Sequence, residues 1–166
     1  DPSAANRITM DRFRSNIRKA KSDSRIAGIR LDLAGVGGSW AHLSEMRELL
    51  LDFKSEGKFI YAFIDDRGAN EAGYFIATAA DSIFAQHETY LEMDGFYIQG
   101  QFLKNTFDKY GLEVDVITTG TYKTAAASYV EEQFTASDRE QLGEIMQHFS
   151  DTFVNAVSEY TGMDYE

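Results

Sequence analysis

An α/β domain with a mostly parallel sheet, flanking helices and right-handed crossovers is the fold class this sequence predicts. Three observations carry that expectation. Short apolar runs of strand character alternate along the chain with segments of helical spacing. The run KFIYAFI, residues 58–64, is apolar almost without interruption, the mark of a strand buried on both faces. Loops rich in glycine or polar residues follow three of the strand-like runs, at 34–40, 65–71 and 120–129. In open parallel sheets, ligands bind beyond the carboxyl ends of the strands, so these loops are where chemistry is expected.

Each element has a local justification. Met10, Phe13, Ile17 and Ala20 recur at helical spacing, and Thr9 is placed to cap that helix. IAGIRLDLA reads as a strand with Ile29, Leu31 and Leu33 on one face. A second helix carries Leu43, Met46, Leu49, Leu50 and Phe53, and Gly57 can end it. After the KFIYAFI strand, DDRGAN is a polar loop and EAGYFIATAA a short helix despite Gly73. SIFAQ reads as a strand. QGQFLKNTFDKYG, residues 99–111, reads as an amphipathic helix ended by Gly111, and EVDVITT, residues 113–119, as a further strand. Ser137 and Glu140 have the spacing of a capping box, opening a long helix that bears Leu142, Ile145, Met146, Phe149, Phe153 and Val157.

The chain of 166 residues is most simply one domain, long enough to bury a sizeable core. It starts without methionine, at DPSAAN, and ends at GMDYE, which suits a piece of a longer protein. A formal charge of -11 argues against a nucleic-acid groove, which needs clustered Lys and Arg. With no cysteine there are no disulfides, no thiolate catalysis and no Cys-ligated zinc. No run of about 18 apolar residues is present, so no span is expected within the chain.

The candidate sites follow the loops. AGVGGSW, residues 34–40, sits between strand and helix but fails the dinucleotide pattern, because Trp40 stands where the last glycine belongs. Its glycines serve either as a tight turn needing positive φ or as backbone donors to an anion or developing oxyanion. DDRGANEAGYF contains no Ser, Thr or Cys for a nucleophile. Asp65, Asp66 and Glu71 are a metal site or, more simply, a solvated loop. His42, His87 and His148 follow no ligand spacing, and no Ser-His-Asp pattern is evident. TYKTAAASYV sets Lys123 among small residues, with Thr121, Thr124 and Ser128 close in sequence. A lysine acts as a general base when burial lowers its pKa from about 10.4 toward about 7–8. Nearby hydroxyls can orient the neutral amine, as in a serine–lysine dyad. The alternative is a solvated loop lysine, and composition leaves both open.

The order of motifs is more specific. IRKAKSDSRIAGIRLDLAGVGGS, LLLDFKSEGKFIYAF, AGYFIATAADSIFA and the stretch from LEMDGFYIQG through GTYKTAAASYVEEQFTASDRE resemble, in order and spacing, the signal peptide peptidase A (protease IV) family. The best single marker is GTYKTA, residues 120–125, and the similar part is the amino-terminal, lysine-bearing domain of the family's long form. The resemblance implies a ClpP/crotonase-like fold of repeated ββα units spanning 1–166, as one domain of a two-domain chain. It implies that Lys123 is the general base and that the serine nucleophile comes from a carboxyl-terminal domain.

It further implies a membrane-anchored homotetramer on the extracytoplasmic side of a bacterial membrane. The anchor would lie outside this chain, and the substrates would be apolar, signal-peptide-like segments. No cofactor and no metal are implied. Where the serine-bearing domain has A-S-G-G-Y-Y-I-A, this chain has NEAGYFIA, with Glu71 in the serine's place. GVGGS likewise resembles the S-P-G-G-S oxyanion turn of the active half and, with no serine opposite, is expected to be structural. Two rival readings remain: a non-catalytic assembly domain lining a substrate chamber, and a crotonase-type acyl-CoA enzyme.

Overall fold

A computed structural model describes residues 8–116 and 126–164. The chain divides into two compact units, residues 1–94 with 153–166, and residues 95–152.

The first unit opens with helix α1, Met10–Ser22. Thr9 caps it as expected, its side chain accepting the Arg12 N–H at 3.4 Å. At the other end the Lys58 ammonium donates to the carbonyls of Ala20 and Asp23, at 2.6 and 2.7 Å. That places a cation where the helix dipole and the orphan carbonyls favour one. Strand β1 is Gly28–Asp32 and helix α2 is Trp40–Lys54. Ser39 caps α2, and Gly57 adopts φ 75 beyond its end. Strand β2, Phe59–Ile64, lies between β1 and strand β4, Ser82–Ala85. Both pairings are parallel, with Ile29 opposite Ile60, Leu31 opposite Ala62, and Ala62 opposite Ile83.

The α/β class with parallel strands and flanking helices is therefore the architecture observed. A second short parallel pair joins β3, Ala69–Asn70, to β5, Leu91–Glu92. Between β3 and β4 runs helix α3, Glu71–Ala77, capped by Asn70, whose Oδ1 accepts the Gly73 N–H at 3.0 Å. Gly73 is tolerated because an added Cβ would stand 3.3 Å from the Ala69 Cβ, so the glycine lets α3 lie close to β3.

The core collects on one face of the sheet. Ile60, Ala62 and Ile64 of β2 are buried against Leu43, Leu50 and Phe53 of α2 and Ile76 of α3. Burial of each large side chain there contributes about 1.5–3 kcal/mol. One expectation is corrected. KFIYAFI does not form a strand buried on both faces: Phe59 is 44% and Tyr61 39% exposed. Helices α1, α2 and α3 all supply the same side of the sheet. The other side carries an aromatic ladder, with Tyr61 edge-on to Phe84 and Phe63 stacked on Phe84 at 5.2 Å.

Arg47 ties the covered side together. Its Nε donates to the buried Thr78 hydroxyl at 2.9 Å and its guanidinium pairs with Glu159 at 2.8 Å.

The second unit contains helix α4, Lys104–Tyr110, and the short helix α5, Ala127–Val130. Helix α6, Ala136–Thr161, begins in this unit and ends in the first. Two expectations change here. The helix foreseen for 99–111 spans only α4, since residues 99–103 form no helix. Residues 113–116 form no strand, while 117–119 lie outside the described residues. Helix α6 opens two residues earlier than the Ser137–Glu140 spacing suggests. Thr135 and Asp138 form the reciprocal cap: the Asp138 N–H donates to Thr135 Oγ1 at 3.1 Å, and the Thr135 N–H donates to Asp138 Oδ2 at 2.9 Å. Asp138 satisfies the same donor geometry at N3 that Glu140 would, and its shorter arm is buried in doing so.

Candidate functional site

Two of the three loops expected to carry chemistry, 34–40 and 65–71, lie in the first unit. Past the end of β1, the Leu33 N–H donates to the Phe63 carbonyl at 3.2 Å, and the chain then turns through Gly35 and Gly38, at φ 68 and φ 148. These are backbone conformations that side chains with a Cβ rarely adopt, so the GVGG segment is a turn that needs glycine at 35 and 38. Past β2, Asp65 and Arg67 close a tight loop. The Asp65 carboxylate accepts the Arg67 backbone N–H at 3.0 Å and the Arg67 Nε at 2.9 Å. The Arg67 guanidinium, and then its backbone N–H, hold the Asp65 carboxyl below the usual carboxylate range. Thr89 Oγ1 and the Gly68 N–H donate to the Asp65 carbonyl. The loop is thereby fixed, and β3 begins at its exit.

A cleft of about 150 Å³ opens between these turns, lined by Leu33, Gly35, Val36, Arg67, Asn70 and Tyr90 among others. Tyr90 lies over Gly68, where a Cβ would come within 2.7 Å of the Tyr90 carbonyl. Two of the cleft's polar side chains are engaged: Arg67 by Asp65, and Asn70 Oδ1 by the Gly73 N–H. Glu71 is the first residue of α3, at the mouth of the cleft's helix. Among the residues lining this cleft there is no serine, threonine or cysteine.

The other sequence candidates fall as follows. Asp65 is engaged by Arg67, and among the described residues no group of three His, Cys, Asp or Glu side chains is placed to hold a metal. His42 stands 3.1 Å from Ser39 Oγ through Nδ1, and Ser39 also accepts the His42 N–H at 3.4 Å. That is a helix cap; among the described residues no carboxylate orients the imidazole, so the pair lacks the third member of a triad. His87 is exposed, and His148 packs beside Phe149. Lys123, Thr121 and Thr124 lie outside the described residues. Ser128, in α5, spends its carbonyl on the Leu103 N–H at 2.7 Å.

The second unit holds a larger opening that sequence reasoning missed. Gly111 takes φ 67 beyond α4, and two bonds close the turn: the Gly111 N–H donates to Asp108 O and the Leu112 N–H to Phe107 O. This Schellman arrangement folds Leu112 back toward Phe107. Both then line a groove of about 480 Å³, together with Val114, Tyr129 and Val130. Phe107 and Tyr129 stack at 6.0 Å with rings nearly parallel. Lys104, Asp108, Glu113 and Asp115 form its polar margin. The only sequence signal was Gly111 followed by an apolar residue, read as a helix end but not as the wall of a groove.

An open, parallel α/β domain with its cleft at the carboxyl edge of the sheet is the class these features define. Within it, this chain belongs to Peptidase family S49, which residues 52–166 match. It is 30% identical over 159 residues to the chloroplastic serine protease SPPA of Arabidopsis thaliana, covering 96% of this chain and 23% of that protein. It is 28% identical to protease 4 of Salmonella typhi, covering 82% of this chain and 22% of that one. It is 27% identical to the putative signal peptide peptidase SppA of Enterococcus faecium, covering 92% of this chain and 43% of that one. The chain thus spans less than half the length of these relatives. Among the described residues no helix is long and apolar enough to cross a membrane.

Proposed function

We propose that this chain is the lysine-bearing domain of a serine–lysine peptidase acting on apolar peptides such as cleaved signal peptides. The observation that carries the proposal is the cleft at the carboxyl ends of β1 and β2. The resemblance implies a serine nucleophile at this position in the serine-bearing domain, yet here the helix begins with Glu71 and the cleft's lining contains no serine, threonine or cysteine. A relative called a serine protease matches almost all of this chain over a quarter of its own length, which leaves ample room for a serine on another domain. On this reading Lys123 is the general base. Its neutral amine takes the proton of the serine hydroxyl as Oγ attacks the peptide carbonyl, then delivers it to the leaving amine. Neutrality requires exclusion of water, and the small residues of TYKTAAAS allow a second domain to approach closely enough for that. Assembly as a homotetramer, and membrane attachment through a segment outside this chain on the extracytoplasmic side, belong to the same proposal.

The test is peptidase activity of the two-domain protein, wild type against Lys123→Ala, with the assembly state measured on both. Loss of at least about 100-fold in kcat with assembly intact supports the general-base role. Retained activity overturns it and favours a domain that only shapes the substrate chamber. The 166-residue chain on its own is expected to cleave nothing; hydrolysis of an apolar peptide by it would place a nucleophile here after all.

A further inference from the structure

The winding of the first unit leaves one face of its sheet without a cover. The strands stand in the order β1-β2-β4, which is also their order along the chain, and both pairings are parallel. Right-handed crossovers that always step in the same direction put every connecting helix on the same side. The opposite side carries Phe59, Tyr61 and Phe63 of β2 and Phe84 of β4, and of these Phe59, Tyr61 and Phe84 are 44%, 39% and 47% exposed. Phe59 and Tyr61 lie 4.9 Å apart, which extends the aromatic ladder along β2. The Phe59 ring also reaches over Gly28 of β1, where an added Cβ would stand 2.4 Å from it. The aromatic surface therefore crosses all three strands. Its charges cancel: the Arg30 guanidinium lies 4.3 Å from the centre of the Phe63 ring and donates to Asp32 at 3.0 Å. Parallel sheets are ordinarily covered on both faces, and a continuous exposed apolar patch marks a docking surface.

The size of the face decides what fits it. Three strands at a spacing of about 4.8 Å and about five residues at about 3.3 Å each give a footprint of about 14 by 16 Å. Even doubled for the relief of its side chains, that area falls short of the about 800 Å² that each partner of a stable dimer buries, so a second copy is a poor occupant. It matches one α-helix, about 10 Å across and about eleven residues long. The chain spans 23%, 22% and 43% of the relatives it matches, so each has more chain outside the matched region than within it. We infer that an amphipathic helix from the part of the longer protein outside these 166 residues lies on this face, its uncharged apolar stripe against Tyr61 and Phe84. The inference rests on the longer-chain part of the peptidase reading and makes no use of Lys123.

Thiol labelling reads the cover directly, because the 166 residues contain no cysteine. Tyr61→Cys and Phe84→Cys are made singly in the full-length protein and in the 166-residue chain, with Ser24→Cys, on exposed surface, as the control. Modification by a maleimide is followed on the peptide carrying each site by mass spectrometry, and a thermal melt checks that each variant folds. Both face positions are expected to label about 100-fold or more slowly in the full-length protein than in the 166-residue chain, while the control labels equally in both. In the full-length protein, Phe84→p-benzoylphenylalanine should cross-link on irradiation to a peptide from outside the 166 residues. Equal labelling of the face in the two proteins overturns the inference. Slow labelling in the 166-residue chain overturns it too: if relieved by dilution, the cover is a second copy, and if not, it is this chain itself. A cross-link to a peptide within the 166 residues has the same force. Cleavage is not read, so failure of the Lys123 test leaves this result standing, and failure here leaves the general-base assignment untouched.

Discussion

Asp81 shows how one side chain fastens the sheet. It precedes β4, and its Oδ2 accepts the Ile60 N–H at 2.7 Å while Oδ1 meets the Lys54 ammonium at 2.9 Å. Partial burial works to raise the carboxyl's pKa, but the Ile60 N–H and the Lys54 charge outweigh it and hold the group below its ordinary value. A depressed carboxylate stabilises the folded state above its unfolded pKa, near about 3.9, and that contribution disappears as pH falls through the folded value. Asp81→Asn keeps an acceptor for Ile60 but loses the charge. It should cost about 0.5–1 kcal/mol at pH 7 and less near pH 3, below the unfolded value, where protonation of the unfolded carboxyl already removes part of the charge's contribution. Urea melts of both proteins at the two pH values check this; an equal deficit at both would mean that the carboxylate's charge contributes nothing.

Helix α6 tests how far local patterns locate an element. The sequence offers two candidate boxes within six residues, Thr135 with Asp138 and Ser137 with Glu140. The structure uses the first, and Thr135 Oγ1 also donates to Asp138 Oδ2 at 2.7 Å. Thr135→Ala is expected to destabilise the protein by about 1 kcal/mol, whereas Glu140→Ala, on exposed surface, should change stability by less than about 0.5 kcal/mol. Denaturant melts followed by far-ultraviolet circular dichroism distinguish the two; the reverse order would move the helix start back to Ser137. The error has a plain cause. The two boxes are chemically equivalent as local sequence, and burial of Asp138 is a tertiary event that no local spacing reports. The helices with strong apolar periodicity and a single capping residue, such as α1 with Thr9, lay where the sequence put them. Residues 99–103 and 113–116, whose apolar content suggested helix and strand, adopt neither, because short amphipathic segments need packing partners to hold regular structure.

The two units differ in what holds them. Among the described residues, every fully buried apolar side chain belongs to the first unit, from Ile17 through Ala80 and then Ala156 and Val157. The second unit relies on partly buried ring pairs, Phe102 edge-on to Phe134 at 5.1 Å and Phe107 on Tyr129. Local stability follows apolar burial, so the units should open with different free energies. Hydrogen exchange is expected to show β2 and α2 amides exchanging only through global unfolding, and α4 amides about 100-fold or more less protected. Equal protection would mean that one cooperative core spans both.

The strands and helices of the first unit, the cap at Thr9, the turn at Gly35 to Gly38 and the helix ends at Gly57 and Gly111 are written locally, because each depends on backbone conformations or hydrogen bonds within a few residues. The parallel order followed from the alternation of elements, since parallel neighbours need a crossover between them. Which face of β2 is covered was not written there. An apolar run reads the same whether one side or both are packed, and only the placement of α1, α2 and α3 on one side leaves Phe59, Tyr61 and Phe84 uncovered. The groove beside α4 was hidden for a related reason. Its wall joins residues 107–115 to 129–130, and that meeting depends on a long-range fold, with the Leu103 N–H on the Ser128 carbonyl, rather than on any spacing along the chain.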